Sequence, residues 1–519
     1  MVATITQYHN RINTINEKAA LFRQAVINPQ VESANTNRFI TDNAERNSQL
    51  KAVVKDTIFD AAGEQGPLLL GVTANAVRAY YDQRGCLPSA EMMASAYHTI
   101  ENMLVNTANH KIMDAATSTS EGIIKRNHQV ALIVPTMLTS ITNDMVTHIP
   151  PNYDKSEIFA ITRRAGSTFG DLKKGDLIDY SFHGQYSSMN QRQPVATGDG
   201  TTKEFTKSIG MPVRKELVRV YHDRNLVAED LNGRGLLSGH FVDADGQAVT
   251  VTGSVDHDNG GITINFSVPP KNGIEIHVAY DVSIEKDPSL IPKIDHEMES
   301  WIVYPHESAI AASATIQAVF SARREFSIDL NALNFSSAKN ILAAEKDRRR
   351  LIDMYFFAMG NRQWKYTVPS ALKFTDHYET LRQTFYEISQ DLMYRTKKSG
   401  LVGIIAGPKA SALLKSIGAP HVRMAPGYRH VPQPHYVGKV FEFDFKEDPF
   451  APDWQIFCYA KGRDHGDSGY VAADAISAIN YQHPIDEKLR HSNTLYELAY
   501  RDLHPKNGRT YYTMLTLVP

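Results

Sequence analysis

Apolar positions in this chain repeat with two different periods, and the change between them divides it. Met93, Tyr97, Ile100 and Leu104 fall at steps of four, three and four, one stripe of a helix, and Ser89 stands where an N-cap would. This predicts a helix over 89–109, with a further helical stretch over 38–62. Leu381, Phe385, Ile388 and Leu392 repeat the same steps and predict a helix over 378–394 that packs on one side. Between about 197 and 284 the period drops to two. Ile262, Ile264, Phe266 and Val268 alternate with polar residues, 269–273 (Pro-Pro-Lys-Asn-Gly) turns the chain, and Ile274, Ile276, Val278 and Tyr280 alternate again. That pattern predicts a β-hairpin with one wet face inside a small all-β domain. Asp199-Gly200 marks its expected entrance and Asp258-Asn259-Gly260 an internal turn.

The remaining segments complete an α+β chain. Residues 1–37 are rich in Asn, Gln and Thr with scattered aliphatics, and predict an arm that needs a partner surface. The continuous apolar run Val130–Val134, closed by Pro135, predicts a buried strand. Residues 157–185 read as extended, and 313–330 as strand-like. A long helix is expected over 336–359, with Glu345 to Arg350 charged on every face, so its middle should bridge elements or lie on a surface. Leu401–Ala406 predicts a buried strand, Gly407-Pro408 a turn, and 409–417 a short helix. Phe441, Phe443 and Phe445 alternate with charged residues, and strands are expected over 454–460 and 511–517.

Composition narrows the function classes. The chain has 519 residues, 42% hydrophobic and 22% charged, ample for a core, and a net charge of -2 advertises no whole-chain field for nucleic acid or an anionic membrane. Its two cysteines, Cys86 and Cys458, form no C-x-x-C pair, so neither a disulfide framework nor a zinc site is expected. Residues 1–10 lack the charged start and apolar stretch of a secretory signal, and no apolar run approaches the roughly 18 residues that span a bilayer.

Candidate chemistry is sparse. Gly466-Asp467-Ser468-Gly469 copies the tetrapeptide around a trypsin-like nucleophile, but Tyr470 follows where that family has glycine, and a surface turn is expected. Asp295-His296-Glu297 with Glu299 and His306 carries metal-ligating groups without H-E-x-x-H spacing, so a solvated loop is expected. Asp243 and Asp245 open like a calcium loop, but Ser254 occupies its twelfth position; a hairpin turn is expected. In 403–409, Pro408 interrupts what would be a phosphate-binding glycine loop. The run Arg348 to Arg350 has no interleaved aromatics for base stacking and reads as a solvated or subunit-bridging face. No catalytic residue, cofactor site or metal site is predicted.

The order of parts resembles a known family. The segment "AASATIQAVFSARREFSIDLNALNFSSAKNILAAEKDRRRLIDMYFF" from Ala311 is similar to the return strand and spine helix of tailed-bacteriophage major capsid proteins with the Hong Kong 97 fold. "GLVGIIAGPKASALLKSIG" from Gly400, "YVGKVFEFDF" from Tyr436, "KGRDHGDSGYVAAD" from Lys461 and "LYELAYRDLHPKNGRTYYTML" from Leu495 resemble, in order, that family's axial-domain strand-turn-helix, later strands and final segment. The inserted β domain looks like those that decorate the extended loop in contractile-tail phages.

The resemblance implies an N-terminal arm and helices over 1–128, a first peripheral-domain strand region over 129–156, an extended loop over 157–328 carrying the β domain 197–284, a peripheral domain with spine helix over 329–368, an axial domain over 369–480 and a return segment over 481–519. It implies self-assembly into hexamers, with pentamers from this chain or a paralogue, of an icosahedral shell around double-stranded DNA. The expected place is then the virion, with assembly in the host bacterial cytoplasm. The implied partners are copies of the chain, scaffold, portal and decoration proteins, and DNA without sequence-specific contacts; no membrane is involved. Ile15-Asn16-Glu17 has the form of the family's maturation cleavage sites. Arg163, Arg164, Lys173, Lys174, Arg323, Arg324, Arg348, Arg349 and Arg350 are predicted to serve contacts between subunits, because charge clusters on extended elements set register and partner choice. The rivals are a vertex, decoration or tail protein and, from another class, a hydrolase using Ser468.

Overall fold

The computed structural model describes residues 5–32, 38–105, 131–178 apart from 132, 136, 139 and 153, 184–326, 330–463 apart from 427, 465–483, 489–506 and 508–519. It divides into two compact units, Met1–Ala160 with Met298–Pro519, and Ile161–Glu297.

The larger unit opens with helices: α1 (Ile5–Phe22), α2 (Asn43–Val53), α3 (Gly66–Arg84) and α4 (Ala90–Leu104). Asp42 caps α2 by accepting from the Ala44 amide, Ser89 caps α4 by accepting from Met92, and left-handed Gly85 ends α3. Ile15, Ala19, Phe22 and Val26 are buried and belong to one core with Leu70, Val77, Ile100 and Leu104. The expectation of an arm without its own core is therefore corrected. Aliphatics that look scattered in a polar composition fall at helical steps of four, three and four, enough to bury one face. The strand expected over Val130–Val134 is also corrected: Ala131, Ile133 to Pro135, Met137 and Leu138 are helical, with Ile133 and Val134 buried in the same core. A short apolar run does not by itself separate a strand from a buried helical turn.

Two strands follow, β1 (Thr147–His148) and β2 (Ser156–Ala165). The smaller unit then contributes β3 (Asn190–Thr197), β4 (Glu204–Ser208), β5 (Arg219–His222), β6 (Asn225–Asp230), β7 (Leu236–Val242), β8 (Ala248–Asp256), β9 (Gly261–Phe266) and β10 (Glu275–Asp281). They form one antiparallel sheet in the order β3-β10-β5-β6-β7-β8-β9-β4 over a core of Val220, Val251, Ile262, Ile264, Ile276, Val278 and Tyr280. The alternation places these residues inward as expected. The hairpin does not hold: β9 lies between β8 and β4, and β10 between β3 and β5. Alternation fixes which face is buried but not which strand is the neighbour. The unit also extends beyond 197–284, and Asp199-Gly200 is the turn between β3 and β4, with Asp199 accepting from the amides of Thr201 and Thr202.

The chain returns through β11 (Ile294–Val303), which pairs with β2, and β12 (His306–Thr315). Thr315 Oγ1 accepts from the Ala318 amide and begins α5 (Ile316–Phe326), so the strand expected to run to 330 turns helical early. Helix α6 (Leu330–Phe356) follows, then β13 (Gly360–Lys365), α7 (Phe374–Thr396), β14 (Leu401–Ala406), α8 (Pro408–Ile417), β15 (Val422–Met424), β16 (His435–Val440), β17 (Phe443–Glu447) and β18 (Gln455–Ala460). β19 (Tyr470–Gln482), β20 (Arg490–Leu503) and β21 (Tyr512–Val518) close the fold. A mixed sheet, β13-β21-β18-β14-β17-β16-β15, holds the main core with Leu381, Phe385, Ile388 and Leu392 of α7, all fully buried. A second sheet runs β1-β19-β20-β12, with β12 in continuous antiparallel register on β20 and at the sheet's edge.

Candidate assembly surfaces

Helix α6 is 27 residues long, and its two faces do different work. Ala338, Leu342, Leu351 and Met354 are buried. Between them Lys346 donates to Glu497 of β20 at 2.7 Å and to Asp474 of β19. Burial alone would lower the Lys346 pKa, but the two carboxylates outweigh it and raise it. Asp474 is correspondingly held below the usual carboxylate range, Lys346 and Arg350 overcoming its burial. Arg350, 2% exposed, donates to Asn143 Oδ1 at 2.8 Å and Thr142 Oγ1 at 3.1 Å. The charged middle of the helix is thus not solvated all round. Its inward charges bolt α6 to the β19–β20 sheet and to the segment after the N-terminal helices.

That segment is a second anchor. Asp144 receives Arg84 of α3 at 2.8 Å, Lys446 of β17 at 3.4 Å and the Tyr80 hydroxyl at 3.0 Å. Burial opposes ionisation of Asp144, but Lys446 and Arg84 overcome it and hold its pKa down. Lys446 is fully buried, also donates to the Ile141 carbonyl at 2.7 Å, and is pulled down to about 8 by burial. The Arg84 guanidinium lies 3.9 Å from the Tyr436 ring centre. A third anchor is Glu91 of α4, 3.0 Å from His465 Nδ1 and accepting from the His148 amide at 3.3 Å. Burial pushes Glu91 up, yet the His465 hydrogen bond together with the charges of His465 and Lys461 outweighs it and brings it down to about 2. Burial lowers His148 to about 4. These groups pin the N-terminal helices to the α/β part of the larger unit.

The outer face of α6 is different. Ser337, Ile341, Glu345, Arg348, Ile352 and Phe356 are all exposed, Ile341 at 53%, Ile352 at 48% and Phe356 at 80%. The Arg348 guanidinium lies 4.7 Å from the ring centre of exposed Phe450. Arg349 is within 3.5 Å of Asp353 on the same helix.

The residues predicted for subunit contacts separate accordingly. In the smaller unit, Arg163 is exposed on β2, Arg164 pairs with Glu297 and donates to the Gly175 carbonyl at 3.0 Å, and Lys173 and Lys174 are exposed in a turn. In the larger unit, Arg323 and Arg324 are exposed in the last turn of α5, and Arg348 and Arg349 on α6. Arg350 is a correction: it is buried within its own chain and unavailable to a neighbour. The sequence reading missed Lys346, Asp144, Lys446 and Glu91 as anchors. The step of four from Leu342 through Lys346 to Arg350 is the signal that could have placed the first on the inner face.

The enzyme-like motifs resolve as structure. Ser468 is fully buried; its hydroxyl donates to the Tyr470 carbonyl and accepts from Thr147, both at 2.8 Å, so the expected surface turn is corrected and the hydroxyl is not presented to a substrate. Asp295 to Glu299 lie on β11 instead of a loop, and among the described residues no group of three or more His, Cys, Asp or Glu could hold a metal ion. Asp243 caps the β7–β8 turn by accepting from the amides of Asp245 and Gln247. Lys409 pairs with Asp453 at 2.8 Å. Among the described residues no helix is long and apolar enough to cross a membrane.

Residues 3–140 match a family described as Domain of unknown function (DUF8615). A curated relative, Protein IncB of Escherichia coli, is 28% identical over 184 residues, 32% of this chain and 86% of that protein. The solved structures to which the chain is similar include viral shells. Mycobacterium phage Che8 aligns at 12% identity and a TM-score of 0.30, covering 45% of this chain and 79% of that one. The capsid of Myoviridae phage XM1 aligns at 9% and 0.30, covering 62% and 89%, and the capsid of jumbo bacteriophage PhiKZ at 9% and 0.34, covering 72% and 91%. At these scores the functional reading rests on the chain's own geometry.

Proposed function

We propose that this chain is the major capsid protein of a tailed double-stranded DNA bacteriophage, with the Hong Kong 97 fold, and that it assembles through copies of itself into hexamers and pentamers of an icosahedral head. The observation that carries the reading is α6. A 27-residue helix is fixed inward by buried charges while its outer face keeps Ile341, Ile352 and Phe356 in water. Large apolar side chains left exposed along one face of a helix whose other face is fixed suit an interaction surface. Two further features support it: β12 lies at a sheet edge, which another chain can complete, and the β unit Ile161–Glu297 is inserted between the N-terminal helices and α6 in the order the sequence resemblance implies.

The role is structural, with the virion as its place and scaffold, portal, decoration proteins and packaged DNA as partners. The exposed cations Arg163, Arg164, Lys173, Lys174, Arg323, Arg324, Arg348 and Arg349 set register between subunits, and Arg350 leaves that set. The test is stoichiometry: in purified particles of the source phage, quantitative mass spectrometry should find this chain as the most abundant protein, at hundreds of copies per genome. A handful of copies per particle would make it a vertex or tail component instead.

A further inference from the structure

The exposed stripe on α6 has a symmetry of its own. Ser337, Ile341, Glu345, Arg348, Ile352 and Phe356 follow one another at steps of four, four, three, four and four, a spacing that reads the same in either direction. When two such helices lie antiparallel about a two-fold axis between Lys346 and Asp347, Glu345 of each faces Arg348 of the other. Ile341 faces Ile352, and Phe356 faces Ser337, where a small side chain leaves room for the ring. Acid meets base at the centre and apolar meets apolar on both flanks, which is the self-complementarity an isologous contact requires. The inner face of the helix cannot serve, because Leu342, Leu351 and Met354 are buried and Lys346 and Arg350 are held by groups of the same chain.

We infer that the outer face of α6 is a docking surface for the α6 of a second copy, packed antiparallel across a local two-fold axis with Glu345 opposite Arg348 and Ile341 opposite Ile352. This deepens the proposed function and rests on it for the identity of the partner. The stripe spans about 28 Å of helix. A contact of that length buries less than the roughly 1,200 Å² of a stable standalone dimer, so each pairing is weak alone and gains strength from the other contacts of an assembly. The exposed Phe450, held beside the stripe under Arg348, widens the apolar area that such a pairing covers.

Cysteine cross-linking of the full chain tests this. In a Cys86→Ser background, with Cys458 fully buried, the double variant Ile341→Cys/Ile352→Cys carries two cysteines about 16 Å apart on one helix, too far to join within a chain. Mild oxidation should give disulfide-linked dimers from the double variant and none from either single variant. Dimers from the single variants would mean a parallel register and overturn the proposal. A double variant that forms particles by electron microscopy without cross-linking would overturn the pairing and leave the shell reading standing, whereas cross-linked dimers that never form particles would remove the shell reading alone. Charge reversal supplies the second measurement. In the cysteine-bearing chain, Glu345→Arg or Arg348→Glu should each reduce cross-linking roughly tenfold by opposing like charges at the axis, and the two together should restore it. No recovery in the double reversal would contradict the pairing of Glu345 with Arg348.

Discussion

Replacing Lys346 by methionine keeps the length and most of the volume of the side chain and deletes its charge. The side chains involved are shielded: Lys346 is 17% exposed, Asp474 21% and Glu497 8%. Without the ammonium, two carboxylates face each other in a poorly solvated site. Removing one partner of a buried pair costs about 3–5 kcal/mol, because the remaining charge keeps its desolvation penalty and loses its compensation. For a fold of this size that is about 3–6 °C in the unfolding midpoint. Differential scanning fluorimetry and urea titration of Lys346→Met at pH 7 should show that loss, and the deficit should shrink on acidification as one carboxylate takes a proton. The triple variant Lys346→Met/Asp474→Asn/Glu497→Gln, which removes all three charges, should recover most of it. A loss below about 1 kcal/mol, the scale of an exposed pair, would refute the argument that α6 is bolted inward through these charges. So would a triple variant no better than the single.

The other predictions concern these anchors, an exposed neighbour of one of them, and one glycine turn. Burial puts His148 at about 4, below its ordinary 6.5, so the unfolded chain takes up protons first as the pH falls between those values. Stability is therefore complete above pH 6.5 and is lost toward pH 4, by about 3 kcal/mol from this group; Glu91, down at about 2, adds a loss below its ordinary 4.5. Urea midpoints at pH 7 and pH 4.5 should show the fall, and His148→Asn should flatten it. Arg350→Ala, which takes the donor from Asn143 Oδ1 and one partner from Thr142 in the interior, should destabilise by about 2–3 kcal/mol, while Arg349→Ala, on a side chain 63% exposed, should stay within about 0.5 kcal/mol. Gly407→Ala should prevent the strand-turn-helix from closing, since a Cβ there would stand 2.0 Å from the Pro452 carbonyl oxygen; soluble yield and hydrogen exchange of β14 would read it out.

Much of the fold was legible wherever one periodicity ran long enough to be unambiguous. The four apolar residues of α7 at steps of four, three and four are all buried, Ser89 caps α4, and β14 occupies the six residues expected of it. Legibility failed where the deciding information was not local. The partners of β9 and β10 depend on which of eight strands lies alongside, and alternation is silent on that. The N-terminal segment looked like an arm because its polar composition hid a stripe of small and medium apolar residues, Ile15, Ala19 and Val26. The charged run on α6 was expected to bridge elements or lie on a surface, and which of its charges turn inward was not legible because the carboxylates that neutralise Lys346 lie more than a hundred residues away in sequence, at Asp474 and Glu497. The same distance explains the anchors at Asp144 and Glu91, whose partners Lys446 and His465 come from the far end of the chain. Of the nine cations proposed from sequence, eight sit where a neighbour could reach them or already hold the surface of their own unit. Only Arg350 turns inward.

On this account, other copies of the chain complete the outer face of α6 and the edge of the sheet at β12. Electron microscopy of the chain expressed alone, across a range of concentrations and ionic strengths, tests that most directly. Closed shells or capsomer-like rings, lost when Ile341, Ile352 and Phe356 are replaced together by serine while the circular dichroism spectrum is unchanged, are the predicted result. A population that stays at the size of one chain at every concentration tried would contradict it.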